Sequence, residues 1–119
     1  MKHKVADVMA ANVIMAKPGD LVGGVRELME AHDINSLPVV DEENQLVGML
    51  TSTDLVPGFS AKIPISRVMS THVYTVTPQA DVSTAAQMMR QYGVHHMVVT
   101  DGDKVVGVVS SLDLLRLLE

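Results

Sequence analysis

The chain carries one sequence pattern twice. Met69 repeats Met9 at an offset of sixty residues, and Gly107 repeats Gly48 at an offset of fifty-nine, so one residue is missing from a loop of the second copy. A repeat of this length is one supersecondary unit that cannot bury its apolar face alone. We therefore expect two half-structures that pack against each other, with a ligand cleft between them. The predicted division is repeat 1 at residues 1–56, a linker at 57–64, and repeat 2 at 65–119.

Composition limits the classes of function. A chain of 119 residues with 47% hydrophobic residues is long enough for one compact module. The net charge of −5, with nine scattered basic residues, argues against nucleic-acid binding. Without cysteine, disulfides and thiolate metal sites are excluded. No apolar run is long enough to span a membrane or to serve as a signal peptide, so we expect a cytoplasmic protein.

Hydrophobic periodicity predicts the same order of elements in both repeats, namely β-α-β-β-α after a short leading helix. In repeat 1 we predict a leading helix at 4–9, strands at 13–15, 37–40 and 46–52, and a closing helix cut short by Pro57 and Gly58. In repeat 2 we predict a leading helix at 65–69, strands at 73–76, 97–100 and 105–110, a helix at about 81–92, and a closing helix that reaches the C-terminus.

The ordered set of motifs resembles the CBS domain family. Each repeat has Val-Met before its first strand, at Met9 and Met69, and ends in the pattern Gly-hydrophobic-hydrophobic-Ser/Thr-x-x-Asp, at Gly48–Asp54 and Gly107–Asp113. The resemblance covers roughly residues 4–118. It implies a mixed α+β fold of two β-α-β-β-α repeats related by a pseudo-two-fold axis, with small mixed sheets packed against helices. It also implies a regulatory role, adenosine-containing ligands, and a homodimer formed through the repeat helices.

Two short segments place a hydroxyl three residues before a carboxylate, Thr51 before Asp54 and Ser110 before Asp113. This spacing fits a capping box at the start of the closing helix. It also fits a ligand site, because a helix N-terminus attracts phosphate and a carboxylate accepts hydrogen bonds from both hydroxyls of a ribose. The resemblance favours the nucleotide role, and the two interpretations are compatible.

His95 and His96 precede the second strand of repeat 2, where repeat 1 has Asn35 and Ser36. Neighbouring strand residues point to opposite faces, so at most one histidine faces a given cleft, and the simplest alternative is one half-buried and one exposed side chain. Adjacent histidines do not readily chelate one metal ion, so we expect no metal site. The resemblance implies phosphate contacts here, which predicts phosphorylated nucleotides at repeat 2 and a less charged ligand, or none, at repeat 1.

The resemblance also implies which segments contact adenine, namely the first strand and the stretch after the first long helix. An ordinary core role is the alternative for each of these residues, because a purine pocket and a core are both apolar. The candidates are Met15, Ala16, Ile34 and Pro38 in repeat 1, and Thr75, Val76, Val94 and Val98 in repeat 2.

We therefore predict a regulatory ligand-binding module that senses AMP, ADP, ATP or S-adenosylmethionine in the cleft between the repeats and signals by conformational change to a partner protein. No cofactor is required by this reading, and nucleic acid and membrane are not expected partners. The alternative is a structural or oligomerisation module without a functional ligand. An enzyme is not expected, because the sequence has no phosphate-binding P-loop, no nucleophile elbow and no zinc-protease motif.

Overall fold

The computed structural model describes residues 3–55 and 61–118. Within these ranges the helices and strands are α1 (Val5–Val8), α2 (Val22–His32), β1 (Ser36–Val40), β2 (Leu46–Thr51), β3 (Thr75–Val76), α3 (Val82–Tyr92), β4 (His96–Asp101), β5 (Lys104–Ser110) and α4 (Ser111–Leu115). Single 3-10 turns are found at Ser52–Asp54, Ile65–Arg67 and Arg116–Leu118.

The mixed α+β class and the β-α-β-β-α order of repeat 2 are confirmed by this architecture. In repeat 1 the predicted strand at 13–15 is wrong, because the only pairing there is an isolated bridge between Ala16 and Val39. The predicted leading helix of repeat 2 is a single 3-10 turn, and the closing helix of repeat 2 changes from α to 3-10 geometry after Leu115. Pro57 and Gly58 lie outside the described residues.

The chain forms two compact units whose boundaries differ from those of the sequence repeats. Unit 1 comprises residues 1–13 and 74–119, and unit 2 comprises residues 14–73. In unit 1 the leading segment of repeat 1 forms antiparallel bridges at Lys4 with Asp81 and at Ala10 with Val108. In unit 2 the leading segment of repeat 2 forms the equivalent bridge between Met49 and Ser70. Each repeat therefore contributes its leading segment to the unit built around the other repeat's sheet.

Both long helices end in the same way and thereby position the segments that follow them. Asp33 and Gly93 adopt left-handed backbone angles after α2 and α3, with φ of 52° and 66°. The next amide then turns back to the helix, from Ile34 to the Met29 carbonyl at 3.0 Å in unit 2. The same arrangement in unit 1 closes α3 and directs the chain into β4.

One face of each small sheet packs against its helix and forms the core of its unit. Residues that alternate along a strand share a face, and Leu37 and Val39 of β1 and Met97 and Val99 of β4 enter these cores. In unit 1 the buried core residues are Val5, Val76, Ala85, Met89, Met97, Val99 and Val109. In unit 2 they are Ala16, Val22, Val25, Met29, Leu37, Val39, Leu50 and Ile65.

A β-bulge sets the register of each hairpin. In unit 1 the pairing starts with Asp101 opposite Lys104, and it shifts by one residue between Val99 and Thr100, which brings His96 opposite Ser110. A one-residue shift transfers every later side chain to the other face of a strand. The bulge therefore decides which side chains share the sheet face opposite the core. Unit 2 has the same shift, between Val39 and Val40.

The glycine that opens each repeated motif is required by a close contact with the leading segment. A Cβ atom at Gly107 would lie 2.6 Å from the Sδ atom of Met9, and one at Gly48 would lie 2.8 Å from the Sδ atom of Met69. Both distances are shorter than real Cβ contacts. The methionine and the glycine that recur in the sequence therefore pack against each other in both units.

Candidate functional site

The face of the unit 1 sheet opposite its core gathers four of the predicted ligand residues. His96 and Val98 alternate along β4 and so point to the same side. The register places Ser110 opposite His96 and Thr75 opposite Val98. Thr75 is exposed, His96 is half-buried and Val98 is fully buried. Val98 therefore has no accessible surface on this face, and the accessible groups beside it are the polar side chains of Thr75 and His96.

Asp113 is fixed beside this face by a capping box at the start of α4. Its Oδ2 atom accepts a hydrogen bond from the Ser110 backbone N–H at 2.8 Å, and the Asp113 N–H donates to Ser110 Oγ at 3.2 Å. The Arg116 guanidinium donates to Oδ1 at 3.2 Å. The Asp113 side chain is only 14% exposed, whereas that of Arg116 is 70% exposed. The predicted capping geometry is therefore present in unit 1.

The pKa of His96 depends on burial and on two charged neighbours. Burial lowers the pKa of His96 below its ordinary value of 6.5, and the nearby charge of His95 lowers it further. The carboxylate of Asp113 acts in the opposite direction and raises the pKa. His96 and Asp113 are therefore close enough to interact electrostatically, and the imidazole favours its neutral form.

His95 lies on the opposite side from His96 and is exposed. It lines a groove between α3 and α4 of about 410 Å³, together with Val94 and Ser111. The groove is otherwise mainly apolar, and its further lining residues are Ala86, Met89, Arg90, Gly93, Leu114 and Leu115. The structure thus separates the two histidines, as alternation along a strand predicts.

The corresponding face of unit 2 has the same design with different groups. Ser36 pairs with Thr51 and Pro38 pairs with Met49, so these four residues share the face opposite the core. Met15 precedes the bridged Ala16 and is 41% exposed. The unit 2 face therefore has a hydroxyl at Ser36 where unit 1 has the His96 imidazole.

Asp54 is held by the capping box of unit 2. Its Oδ2 atom accepts from the Thr51 N–H at 2.8 Å and from the Thr51 hydroxyl at 3.1 Å. The Thr51 and Thr53 hydroxyl oxygens lie 2.8 Å apart. Among the described residues, 3–55 and 61–118, none forms an ion pair with Asp54. The carboxylate of unit 2 is therefore held by neutral groups alone.

Ile34 and Asn35 lie away from the unit 2 sheet face. They line a groove of about 290 Å³ with Ser52 and Leu55, at the position that matches the α3–α4 groove of unit 1. This groove also has charged lining residues, namely Arg26, Glu30 and Asp33. The equivalent grooves of the two units are therefore polar in unit 2 and mainly apolar in unit 1.

Backbone donors at the starts of the closing helices are largely occupied. The Ser111 N–H donates to the His95 carbonyl at 2.9 Å, and the Ser52 N–H donates to the Asn35 carbonyl at 2.8 Å. The closing element of unit 2 is a 3-10 turn of three residues, and α4 has five. Macrodipoles of such short elements are small, so any contact to a phosphate depends on side chains.

Three of the sixteen predicted residues, Ala16, Val76 and Val98, are buried core residues, and Pro38 is fully buried as well. Ala16 and Val76 point to the helix side of their sheets and are buried in the unit 2 and unit 1 clusters. Sequence reasoning missed Arg116, which binds Asp113, and also Met49 and Val108, which lie on the candidate faces. Counting the hairpin register from the turn does not find Val108, because the bulge shifts the pairing.

Residues 3–55 and 61–118 contain neither a candidate metal site nor a candidate membrane-spanning helix. No cluster of three or more His, Asp or Glu side chains there has the arrangement of a metal site. None of the helices described there is long and apolar enough to cross a membrane.

Comparison with known proteins identifies close structural relatives. The CBS domain pair of protein MJ0100, in complex with 5′-methylthioadenosine and S-adenosyl-L-methionine, is 31% identical and superposes with a TM-score of 0.91, covering 99% of this chain and 97% of that one. An uncharacterised conserved protein from Pyrococcus horikoshii is 26% identical, with a TM-score of 0.89 over 100% of this chain and 94% of that one.

Sequence relatives fall into two groups. The CBS domain-containing protein YhcV of Bacillus subtilis is 31% identical over 92% of this chain and 81% of its own length. L-aspartate semialdehyde sulfurtransferase of Methanocaldococcus jannaschii is 33% identical over 95% of this chain, but the match spans only 23% of that enzyme. The CBS domain family model matches twice, at residues 5–59 and 65–119. This chain therefore belongs to the CBS domain family, as a tandem pair of CBS domains.

Proposed function

We propose that this CBS pair is a regulatory module that binds an adenosine-containing ligand and passes its occupancy to a partner protein. The observation that carries the proposal is the unit 1 sheet face, where Thr75, His96, Val98 and Ser110 lie together beside the shielded carboxylate of Asp113. A few convergent polar groups beside apolar side chains are typical of small-molecule sites.

Asp113 is the proposed ribose acceptor. An ionised carboxylate offers about four lone-pair positions, and the capping box and Arg116 occupy two of them. The remaining positions accept hydrogen bonds from the 2′- and 3′-hydroxyls of a ribose. The Arg116 side chain of this ion pair is 70% exposed. The ion pair therefore contributes little stability, roughly 0.2–1 kcal/mol, and a ribose hydroxyl can replace it at small cost.

Thr75 is the proposed contact of the purine, and His96 that of a phosphate. The exposed Thr75 has a hydroxyl for the polar edge of the purine, whereas Val98 opposite it is fully buried. Protonated His96 forms a charge-assisted hydrogen bond with an anionic oxygen. AMP, ADP and ATP carry such oxygens, whereas 5′-methylthioadenosine does not.

A relative supports the ligand class. The CBS domain pair with 31% identity and a TM-score of 0.91 was crystallised with 5′-methylthioadenosine and S-adenosyl-L-methionine. Both compounds share the adenosine part that the unit 1 face is proposed to bind. Transfer of the ligand class to this chain is part of the proposal.

Isothermal titration calorimetry with adenosine, 5′-methylthioadenosine and AMP tests the binding site. We expect saturable binding that weakens by about 10–150-fold in Asp113→Asn, the effect of losing a hydrogen bond to a charged acceptor. Asp103→Asn, in the exposed β4–β5 turn, is the matched control and should bind normally. No binding of any of the three compounds, or equal binding by Asp113→Asn, contradicts the proposal.

The phosphate contact has its own test. AMP binds more weakly to the double variant His95→Ala/His96→Ala if an imidazole contacts the phosphate, while adenosine binds as it does to the original chain. Unchanged AMP affinity in this variant contradicts the contact.

Signalling requires that the ligand bind two conformations of the chain with unequal affinity. Hydrogen exchange of the backbone amides, with and without ligand, would measure the resulting shift in their populations.

A second candidate function is oligomerisation. Leu112, Leu115 and Leu118 of the closing segment are 61%, 54% and 82% exposed. The sequence predicts that this leucine-rich segment is buried against a partner or inside the monomer. These exposures support burial in a homodimer through the repeat helices, which is compatible with ligand binding.

A further inference from the structure

The two candidate sites have carboxylates in the same place with different charged neighbours. In unit 1, Asp113 is bound by the Arg116 guanidinium at 3.2 Å and interacts electrostatically with His96. In unit 2, the hydrogen bonds that Asp54 accepts from the described residues come from the backbone N–H and the hydroxyl of Thr51. The equivalent carboxylates therefore differ in whether a cation balances their charge.

Arg26 and Lys17 of unit 2 form no ion pair with Asp54. Arg26 directs its guanidinium to the Leu55 carbonyl, at 3.5 Å, and forms no ion pair with Asp54. Lys17 lies between the Asp41 carbonyl, at 3.4 Å, and the Glu42 carboxylate, at 3.6 Å. The position that matches Arg116 is Pro57, a residue without charge.

The polar groups across each sheet extend this difference. Ser36 is opposite Thr51 in unit 2, and His96 is opposite Ser110 in unit 1. The serine hydroxyl has no charge at any pH, whereas an imidazole accepts a proton when an anion is bound beside it. The unit 2 face is thus negative at Asp54, whereas on the unit 1 face Arg116 balances the charge of Asp113.

From this difference we infer that the two sites select adenosine ligands of opposite charge, the unit 2 site taking a cationic adenosyl compound and the unit 1 site an anionic nucleotide. The inference rests on the proposed binding of adenosine ligands. An unbalanced carboxylate attracts a sulfonium or ammonium group and repels a phosphate within about 4–6 Å. A carboxylate paired with Arg116 and adjacent to an imidazole has the opposite preference.

Titration with pairs of ligands that differ by one charged group tests the inference. S-Adenosylmethionine has a sulfonium cation that S-adenosylhomocysteine lacks, and AMP has a phosphate that adenosine lacks. We expect S-adenosylmethionine to bind about tenfold more tightly than S-adenosylhomocysteine, a preference of the size that one close charge pair provides. Asp54→Asn should reduce this preference to roughly twofold, because the amide oxygen keeps the cap acceptor and removes the charge.

Matched variants assign each preference to its site. Asp113→Asn should leave the sulfonium preference intact, and His96→Gln should reduce only the preference for AMP over adenosine. A sulfonium preference that is absent, that survives Asp54→Asn, or that is lost in Asp113→Asn overturns the inference. Binding of adenosine and 5′-methylthioadenosine separates the two proposals, because their failure to bind contradicts the proposed function itself. Melting temperatures of the variants verify that each one is folded.

Discussion

Substitution of Gly107 by alanine tests the packing that joins the leading segment to the sheet of unit 1. A Cβ atom at this position lies 2.6 Å from Met9 Sδ, 3.1 Å from Met9 Cγ and 3.0 Å from the Ala10 carbonyl oxygen. The methionine side chain can move, but the Ala10 carbonyl accepts the Val108 N–H at 3.1 Å and is part of the backbone bridge. Relief of the clash therefore displaces the backbone as well as the side chain.

Forcing an extra methyl group into a packed site costs about 1–3 kcal/mol of unfolding free energy. For a chain of this length, 1 kcal/mol corresponds to roughly 3–6 °C in melting temperature, so Gly107→Ala should melt about 3–18 °C lower. Urea unfolding followed by circular dichroism measures the free energy, and calorimetry measures the melting temperature. The double variant Met9→Ala/Gly107→Ala should show a coupling energy of about 0.5–3 kcal/mol, because the two residues are in contact.

Gly24→Ala is the matched control. Gly24 lies within α2, has no positive φ, and a Cβ atom there meets no neighbour within 4 Å. Alanine is the better helix former, so this variant should be more stable by up to about 1 kcal/mol. Equal stability of Gly107→Ala and the original chain would refute the contact between the leading segment and the sheet.

Three further predictions concern the cap, the imidazole and the exposed leucines. Ser110→Ala removes the N-cap of α4 and should lower stability by about 0.5–2 kcal/mol in urea unfolding, and no loss contradicts the cap. Burial lowers the pKa of His96 in the folded state, so the unfolding free energy should be highest above about pH 6.5 and should fall as the pH drops below that value. His96→Gln should reduce this dependence on pH in urea unfolding, and an unchanged dependence would show that His96 does not cause it. Leu115→Glu should convert a dimer to a monomer in sedimentation equilibrium, and a monomeric original chain contradicts the dimer.

Interactions between residues a few positions apart, such as helix caps, were predictable from the sequence. Gly93 and Asp33 end their helices in left-handed conformations, as expected of these residue types. The hydroxyl-to-carboxylate spacing correctly predicted the capping interactions at Ser110 and Thr51. The repeat predicted two similar half-structures, and the resemblance to the CBS domain family implied the mixed α+β fold that the structure has.

Features that depend on distant contacts were not predictable. A regular hairpin counted from Asp101 and Lys104 would place Val109 opposite His96, and the bulge replaces it with Ser110. Such a shift has no clear signature in a run of valines. The strand predicted at 13–15 failed because only Ala16 makes a bridge to the sheet there. The exchange of leading segments between units requires knowledge of long-range pairing.

The candidate site was predicted in part. The resemblance named residues on both sides of each sheet, and the register separates them into the candidate faces, the helix grooves and the cores. The partner of Asp113 was missed, because Arg116 follows it on a segment that the sequence shows only as leucine-rich. The cleft between the repeats, the ligand and the cytoplasmic location stay predictions.

The proposed function depends on a hydrogen bond between the ribose of adenosine and Asp113 on the sheet face of unit 1. A crystal structure of this chain grown with 5′-methylthioadenosine tests it most directly. We expect a ribose hydroxyl within about 2.5–3.0 Å of an Asp113 carboxylate oxygen, with the purine beside Thr75. A ligand bound only in the α3–α4 groove, or a ribose that makes no contact with Asp113, would contradict binding at this site.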